Sequence, residues 1–382
     1  MRGLLDALIS ADGPAPVASA VVRLERADGQ VTFEGAAGLA RPDTRAAMTL
    51  ATPIHVASVA KTFTAALVLQ LSEAGRLGPA GIDSALAEFG VFPPEILERL
   101  HRKDGVSRAG RITLRHLLTH TSGIRDAMVD DVRQCGGPAP GSLIGGLLAP
   151  GGNPAHAWVP WNPQRPEDAD AGVINFFLAS GIADHPLGEP GAGFHYSDTG
   201  YVILGLLVEK VAGRPLHEVL RTNICGELGL AGTYLAYRDD PPLDVHRAPE
   251  AEVYAGDVPT LTSGVSLSFD WGGGGVVSTA GDLAAFLRAL IQGRLFGSQA
   301  TREAMTNWTV PAGLDGARTG VGLGLFRTAC GEFELWGHSG AWGTKMAIEP
   351  RSGVIFTGTT NQARSPADWH HPFMLLALGV DG

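Results

Sequence analysis

The most constraining stretch of this chain is Thr62 to Leu71, Thr-Phe-Thr-Ala-Ala-Leu-Val-Leu-Gln-Leu, apolar nearly all round and running to a stop signal at Gly75. A helix that is apolar on every side has to be buried on every side, so this segment belongs at the centre of the core. Its first turn carries Lys61, and a lysine entering a core is costly unless it is paired or neutral. Lys61 is one of only four lysines, with Lys103, Lys210 and Lys345; histidines aside, every other basic side chain is arginine. An amine can lose its proton near neutral pH when desolvated, whereas a guanidinium cannot. Ser58 lies three residues earlier, and i, i+3 positions on a helix hold their Cβ atoms roughly 5–6 Å apart. A hydroxyl beside an amine that can take its proton is the arrangement of a serine nucleophile. The same helix start favours a developing oxyanion.

Composition narrows the class. The 382 residues are 45% hydrophobic and 18% charged, which describes a globular chain with a sizeable core. With 29 Lys and Arg against 39 Asp and Glu, the net charge of −10 argues against nucleic acid or an anionic membrane as partner. No apolar run reaches the roughly 18–20 residues of a membrane span. Acids at Asp6 and Asp12 break any secretory h-region, and Cys135, Cys225 and Cys330 suggest neither a disulfide framework nor a metal knuckle, so the expectation is a cytoplasmic protein.

Along the chain, Ala18–Leu24 and Val31–Glu34 flank Asp28-Gly29 as a hairpin. Thr113 caps a helix to Thr119, and Tyr201–Val211 is a buried helix closed by Gly213, with Pro215 opening the next. Thr279 and Asp282 form a capping box before a helix from Leu283 to Ile291. Short strands follow: Gly322–Arg327, Glu332–Trp336, Lys345–Ile348 and Val354–Thr359. The expected fold is α+β: an antiparallel sheet from the N- and C-terminal segments, flanked by helices, with a helical lobe inserted. Residues 1–75 and 265–382 form the sheet lobe and 76–264 the helical lobe, in which the Pro/Gly-rich loop 136–170, with Trp158 and Trp161, reads as a lid or a surface loop.

Two more segments carry chemistry: Phe194-His-Tyr196-Ser-Asp198-Thr-Gly200 and Trp336-Gly-His338-Ser-Gly340-Ala-Trp-Gly343, the latter a glycine-rich strand that lets a substrate backbone come close. Singly, Tyr196 and His338 read as buried side chains as readily as functional ones. Together, in this order, Ser58-Val-Ala-Lys61, Tyr196-Ser-Asp198 and His338-Ser-Gly340 resemble the Ser-x-x-Lys, Tyr-x-Asn and Lys/His-x-Gly elements of the penicillin-recognising serine hydrolase superfamily. That group holds class C β-lactamases, D-alanyl-D-alanine carboxypeptidases, family VIII carboxylesterases and lovastatin-type acyltransferases. Ile112–Gly123 and Gly274–Asp282 extend the similarity over most of the chain.

The resemblance implies that Ser58 attacks a carbonyl to give an acyl-enzyme. Lys61 and Tyr196 share the proton, and the N–H groups of Ser58 and Ala341 form the oxyanion hole. His338, with a charge that varies near neutral pH, would orient the substrate or Tyr196. Gly340, Trp342, Trp161 and Asp198 would border the substrate. Asp198 departs from the usual asparagine: ionised beside Lys61 it would weaken lysine as base and leave more to Tyr196, or it turns away to cap the following helix. No cofactor or metal is implied; His370-His371 reads as surface. The expected activity is esterase-like hydrolysis of a small ester or amide. The alternatives are an acyltransferase or an amidase or peptidase, a β-lactamase or carboxypeptidase, and a non-catalytic binding protein on the same fold.

Overall fold

The computed structural model describes residues 1–10, 15–131, 133, 141–239, 249–314 and 316–380. Helix α1 (Arg2–Leu8) precedes β1 (Ser19–Arg26), β2 (Val31–Arg41) and β3 (Ala46–Ala47). The central helix α2 (Ala60–Glu73) follows, then α3 (Leu114–Leu118), α4 (Asp198–Ala212), α5 (Trp271–Gly274) and α6 (Ala280–Ile291). The chain ends with β4 (Arg318–Val321), β5 (Phe326–Cys330), β6 (Phe333–Ser339), β7 (Lys345–Glu349), β8 (Val354–Thr359) and α7 (His371–Ala377). These strands make one eight-stranded antiparallel sheet in the order β4-β5-β6-β7-β8-β1-β2-β3. The two ends of the chain meet inside it, where β1 pairs with β8 from Val21↔Thr359 to Arg26↔Val354. The fold is α+β, and both ends of the sequence build its sheet.

Alternation along the strands sorts the side chains onto two cores. Val21, Met346, Ile348 and Ile355 face α2 and α6, while Ala20, Val22, Leu24, Leu335 and Phe356 face α1 and α7. Helix α2 is buried over nearly its whole circumference, as its apolar run requires. Phe63 of α2 stacks on Phe286 of α6 with ring centroids 3.6 Å apart and planes 8° from parallel. Gly75, with φ of +69°, follows the C-cap Ala74. Helix α4 is tied to α3 through Tyr201, whose hydroxyl donates to Leu118 O at 2.8 Å. No described helix is long and apolar enough to cross a membrane.

The hairpin turns at Asp28-Gly29, where Arg26 N–H donates to Gln30 O at 2.9 Å and Gly29 has φ of +88°. The stretch Gly322–Arg327 is not one strand. Gly322 N–H donates to Leu325 O at 2.9 Å and Gly324 takes φ of +73°, so residues 322–325 are the turn joining β4 to β5. The alternating Leu323 and Leu325 are buried from within that turn, which is how a tight reversal imitated a strand pattern. Pro215 is the N-cap of its helix rather than its first residue. His370 was expected at the surface and is only 6% exposed, because it sits at the α7 start among Phe356 and Trp369.

The described part of the Pro/Gly-rich segment is docked rather than free. It contains a short helix, Leu143–Leu148, and Trp158 is buried, with its backbone N–H donating to Ser268 Oγ at 2.8 Å. Gly136 to Pro140, and Cys135, lie outside the described residues. Cys225 and Cys330 are both free and buried.

Because Phe63 is fully enclosed, its truncation leaves a cavity under α6 that the stacked Phe286 cannot fill. Phe63→Ala is expected to cost about 3–5 kcal/mol of stability, measured by urea denaturation. A change under about 1 kcal/mol would show that this contact is not part of the core.

Candidate active site

The approach to Ser58 is a short helical turn, Ala57–Val59, running into α2, and Ala57 is held at φ of +46°. A non-glycine residue at positive φ stores backbone strain, a feature concentrated at functional sites. Ser58 is partly exposed within an otherwise buried stretch. One turn later Lys61 is fully buried, and its Nζ donates to Ser58 Oγ at 3.0 Å. The i, i+3 spacing therefore does place the two groups in hydrogen-bond contact.

Nζ has two further acceptors. It forms an ion pair with Asp198 Oδ1 and donates to Gly273 O at 2.8 Å. All three protons of an ammonium are thus used, which is what makes a charged lysine tolerable in this setting. Burial pushes the Lys61 pKa down, but Asp198 above all, with Tyr196 and Asp270, more than reverses this, and the pKa is raised. Lys61 is an ammonium at rest. The carboxylate of Asp198 does not turn away: the N-cap of α4 is Ser197, whose Oγ accepts from Gly200 N at 3.2 Å, leaving Asp198 for Lys61.

Tyr196 precedes that cap and leans over the amine, with Nζ 4.9 Å from its ring centroid. Its hydroxyl is shielded and has no hydrogen-bond partner among the described residues. Burial first pushes the phenol up; Lys61 and Ser58 beside it pull back and Asp198 pushes further, for a pKa of about 12. The neighbouring Lys61 and Ser58 influence the phenol without being aligned to bond it. His120 stacks on the ring at 4.3 Å, and Ser197 N–H donates to His120 Nδ1 at 3.0 Å, which locks the stack in place.

The third segment closes in by backbone contact. A Cβ on Gly340 would collide with Val56 O, and one on Gly337 with Met346 O. These glycines let the protein's own backbones approach, which the sequence had suggested they did for a substrate. The end of β6 is pressed against the turn that carries Ser58, and Gly340 N–H donates to Thr344 O at 2.8 Å across the reversal. The N–H groups of Ser58 and Ala341 find no acceptor among the described residues.

His338 differs from expectation. Its Nδ1 lies 2.8 Å from Ser339 O and so carries the proton, while Nε2 is buried without a partner among the described residues. Burial, then the charge of Lys61, pushes its pKa down to about 3. The imidazole is neutral near physiological pH and offers a bare acceptor. Trp342 lies in the turn after β6, where its O accepts from Thr359 Oγ1 at 3.2 Å. Trp161 meets Phe92 edge-on at 5.7 Å; among the contacts of the described residues it meets none of Ser58, Lys61, Tyr196 or His338.

Several participants carry no motif. Gly273 supplies a carbonyl, and Asp270 a carboxyl in the field of Asp198; both sit beside the Gly-Gly-x-x-Ser-Thr segment. The guanidinium of Arg318 lies 4.5 Å from the Phe326 ring and 5.7 Å from that of Tyr196. Only the glycine run from Gly272 could have flagged Gly273 in advance. Among the described residues, no group of three or more His, Cys, Asp or Glu is placed to hold a metal.

Asp270 has its pKa raised to about 7, by burial and then by Asp198. The folded state therefore holds this proton more tightly than the unfolded chain, and its stabilising effect is lost as pH rises from about 4 through 7. Asp270→Asn, which mimics the neutral acid, is expected to raise Tm relative to the parent above pH 7 and to change it little near pH 4. Thermal melts across that range read the difference, and an equal shift at both ends would contradict the assigned titration.

Comparison with known proteins places this geometry. The family profile described as Beta-lactamase matches residues 6–381. Monacolin J acid methylbutanoyltransferase of Aspergillus terreus is 27% identical over 251 residues, spanning 63% of this chain and 53% of that protein. Penicillin-binding protein 4* of Bacillus subtilis (strain 168) is 25% identical over 301 residues, spanning 75% and 55%. The chain thus spans about half the length of these curated relatives. Among solved structures, a D-stereospecific amidohydrolase from Streptomyces sp. superposes with a TM-score of 0.69 at 26% identity, covering 100% of this chain and 98% of that one. With the profile matched almost from end to end around a buried Ser-x-x-Lys pair, the chain belongs to the β-lactamase family.

Proposed function

We propose that this protein is a serine hydrolase that forms an acyl-enzyme on Ser58 from a small ester or amide, with esterase-like hydrolysis as its main activity. The observation that carries the reading is the 3.0 Å contact of Lys61 Nζ with Ser58 Oγ, beside a phenol at Tyr196 with no hydrogen-bond partner among the described residues. Buried polar groups are rarely left unpaired, and a hydroxyl of this kind at a nucleophile is available to a reacting group.

The charge state of Lys61 sets the division of labour. A saturated ammonium cannot accept a proton, so Lys61 orients Ser58 Oγ and supplies positive field. Tyr196 then carries the transfer: as Oγ bonds to the carbonyl carbon, the serine proton passes to Tyr196 Oη while the phenolic proton moves to the leaving oxygen or nitrogen. The carbonyl π pair moves onto oxygen, which the N–H groups of Ser58 and Ala341 receive, at roughly 2.7–4 kcal/mol per donor. The bond to the leaving group breaks as the carbonyl re-forms, and water repeats the sequence to release the acid.

His338 selects against an anion at its position, because its neutral imidazole presents an acceptor rather than a charge. It would receive an N–H or O–H of the substrate. Phe194 and Phe326, which meet at 6.1 Å beside Tyr196, suit an apolar acyl group. An amidase reading draws support from the full-length similarity to the Streptomyces amidohydrolase, and an acyltransferase reading from the fungal relative. An added alcohol or amine that competes with water for the acyl-enzyme separates transfer from hydrolysis.

The protein incubated with a fluorophosphonate should gain one adduct mapping to Ser58 by intact-mass and peptide mass spectrometry. Ser58→Ala should lose the adduct and at least ~10³-fold of p-nitrophenyl ester turnover. Labelling elsewhere, or turnover in the alanine variant, would falsify the assignment. Asp198→Asn removes the charge that pushes the Tyr196 and Lys61 pKa values up. It should keep activity and move the alkaline limb of the kcat/KM profile to lower pH, whereas an unmoved profile would deny Asp198 its role in the field.

A further inference from the structure

A second retained lysine sits on the far face of the sheet. Lys345 pairs with Ser339 on β6 and Gly358 on β8, and its neighbour Met346 faces the core around α2. Alternation therefore turns Lys345 toward α7. There it lines a cavity of about 270 Å³ between the sheet and the segment entering α7, walled also by Arg318, Thr328, Asp368, His370 and His371. Five nitrogen-bearing side chains, His338 among them, face one carboxylate in a chain whose net charge is −10. Among the described residues Lys345 Nζ has no hydrogen-bond or ion-pair partner, and His370 Nδ1 is buried without one. Partly buried ammonium groups and orphaned ring nitrogens cost free energy unless something supplies acceptors. Two independent features of one cavity thus call for the same kind of occupant.

We propose that this cavity is a binding site for a small oxyanion, a phosphate-, sulfate- or carboxylate-type group, held by the Lys345 ammonium with His370 and His371 as neutral N–H donors and Arg318 at the rim. A tetrahedral or planar oxyanion supplies several acceptors at once, which this set of donors needs and water alone meets with less charge. The cavity borders the candidate active site through His338, but the donors assigned to the anion are not Ser58, Lys61 or Tyr196.

The charges around the cavity give the proposal a pH signature. Burial pushes the Lys345 pKa down to about 8, with Asp368 pulling it back up and Arg318 pushing it further down. His338, His370 and His371 all have lowered values, each through burial first. Lys345 is then the facing group whose charge changes between about pH 7 and 9, and loss of its proton should weaken binding about tenfold over that range.

Sulfate is the probe, since it stays a dianion throughout. Isothermal titration calorimetry at constant ionic strength should show one saturable site on the parent protein, about tenfold weaker near pH 9 than near pH 7. Inorganic phosphate and acetate, titrated in parallel near pH 7, distinguish the tetrahedral from the planar class. Lys345→Met should lose the site. Lys345→Arg should keep it and lose the pH dependence, a readout that decides the matter even where the methionine variant fails to fold. Ser58→Ala should bind as the parent does, which separates this outcome from any failure of the acyl-enzyme reading. Absence of saturable binding for all three anions, equal binding by a folded Lys345→Met, or loss in Ser58→Ala would overturn the proposal.

Discussion

The site depends on keeping one ammonium charged inside a core. Lys61 has no access to water, so its positive charge is supportable only because three elements reach it together: the turn at Ser58, the α4 start at Asp198 and the glycine carbonyl at 273. Removing any one acceptor leaves a buried proton without a partner, a penalty larger than the value of most surface contacts. The constraint runs outward from there. It requires α4 to begin at residue 198 and not a residue later, and α5 to bring its backbone within hydrogen-bond range of α2. Ser197 meets the first requirement by taking the capping role that Asp198 would otherwise fill.

The carboxylate at 198 changes the chemistry more than the geometry. An asparagine could also accept from Lys61, but without adding charge. With Asp198 the pair is neutral overall, and the proton stays on nitrogen. In the proposed mechanism the catalytic burden moves to Tyr196, whose phenol is buried, stacked on His120 and without a hydrogen-bond partner among the described residues. A tyrosine held at a pKa near 12 is a poor base alone but a suitable relay when it gives one proton as it takes another. The neutral His338 fits the same economy of charge: with Lys61 close by, a second cation would raise the cost of the whole cluster.

Much of this was legible in advance where the signal is local. The apolar run behind Lys61, the Asp28-Gly29 turn and the caps at Thr113 and Thr279 all follow from short-range rules, and each appears where the pattern puts it. The misreadings come from places where two structures share one pattern. Gly322 to Leu325 alternates like a strand but is a turn, because Gly324 packs against α2 where only a reversal fits. His370 looks like a polar tail residue and is buried, because α7 folds back over β8. Trp161 packs edge-on to Phe92 and, among the contacts of the described residues, meets none of Ser58, Lys61, Tyr196 or His338.

By itself the sequence determined the nucleophile-bearing helix and the three motif segments, since each is written in residue type and spacing over a dozen positions or fewer. Only the tertiary structure decided the protonation pattern, the neutrality of His338 and the participation of Gly273, Asp270 and Arg318. Those depend on burial and on charges brought together from residues 61, 198, 270 and 318, and no local pattern encodes the distance between them.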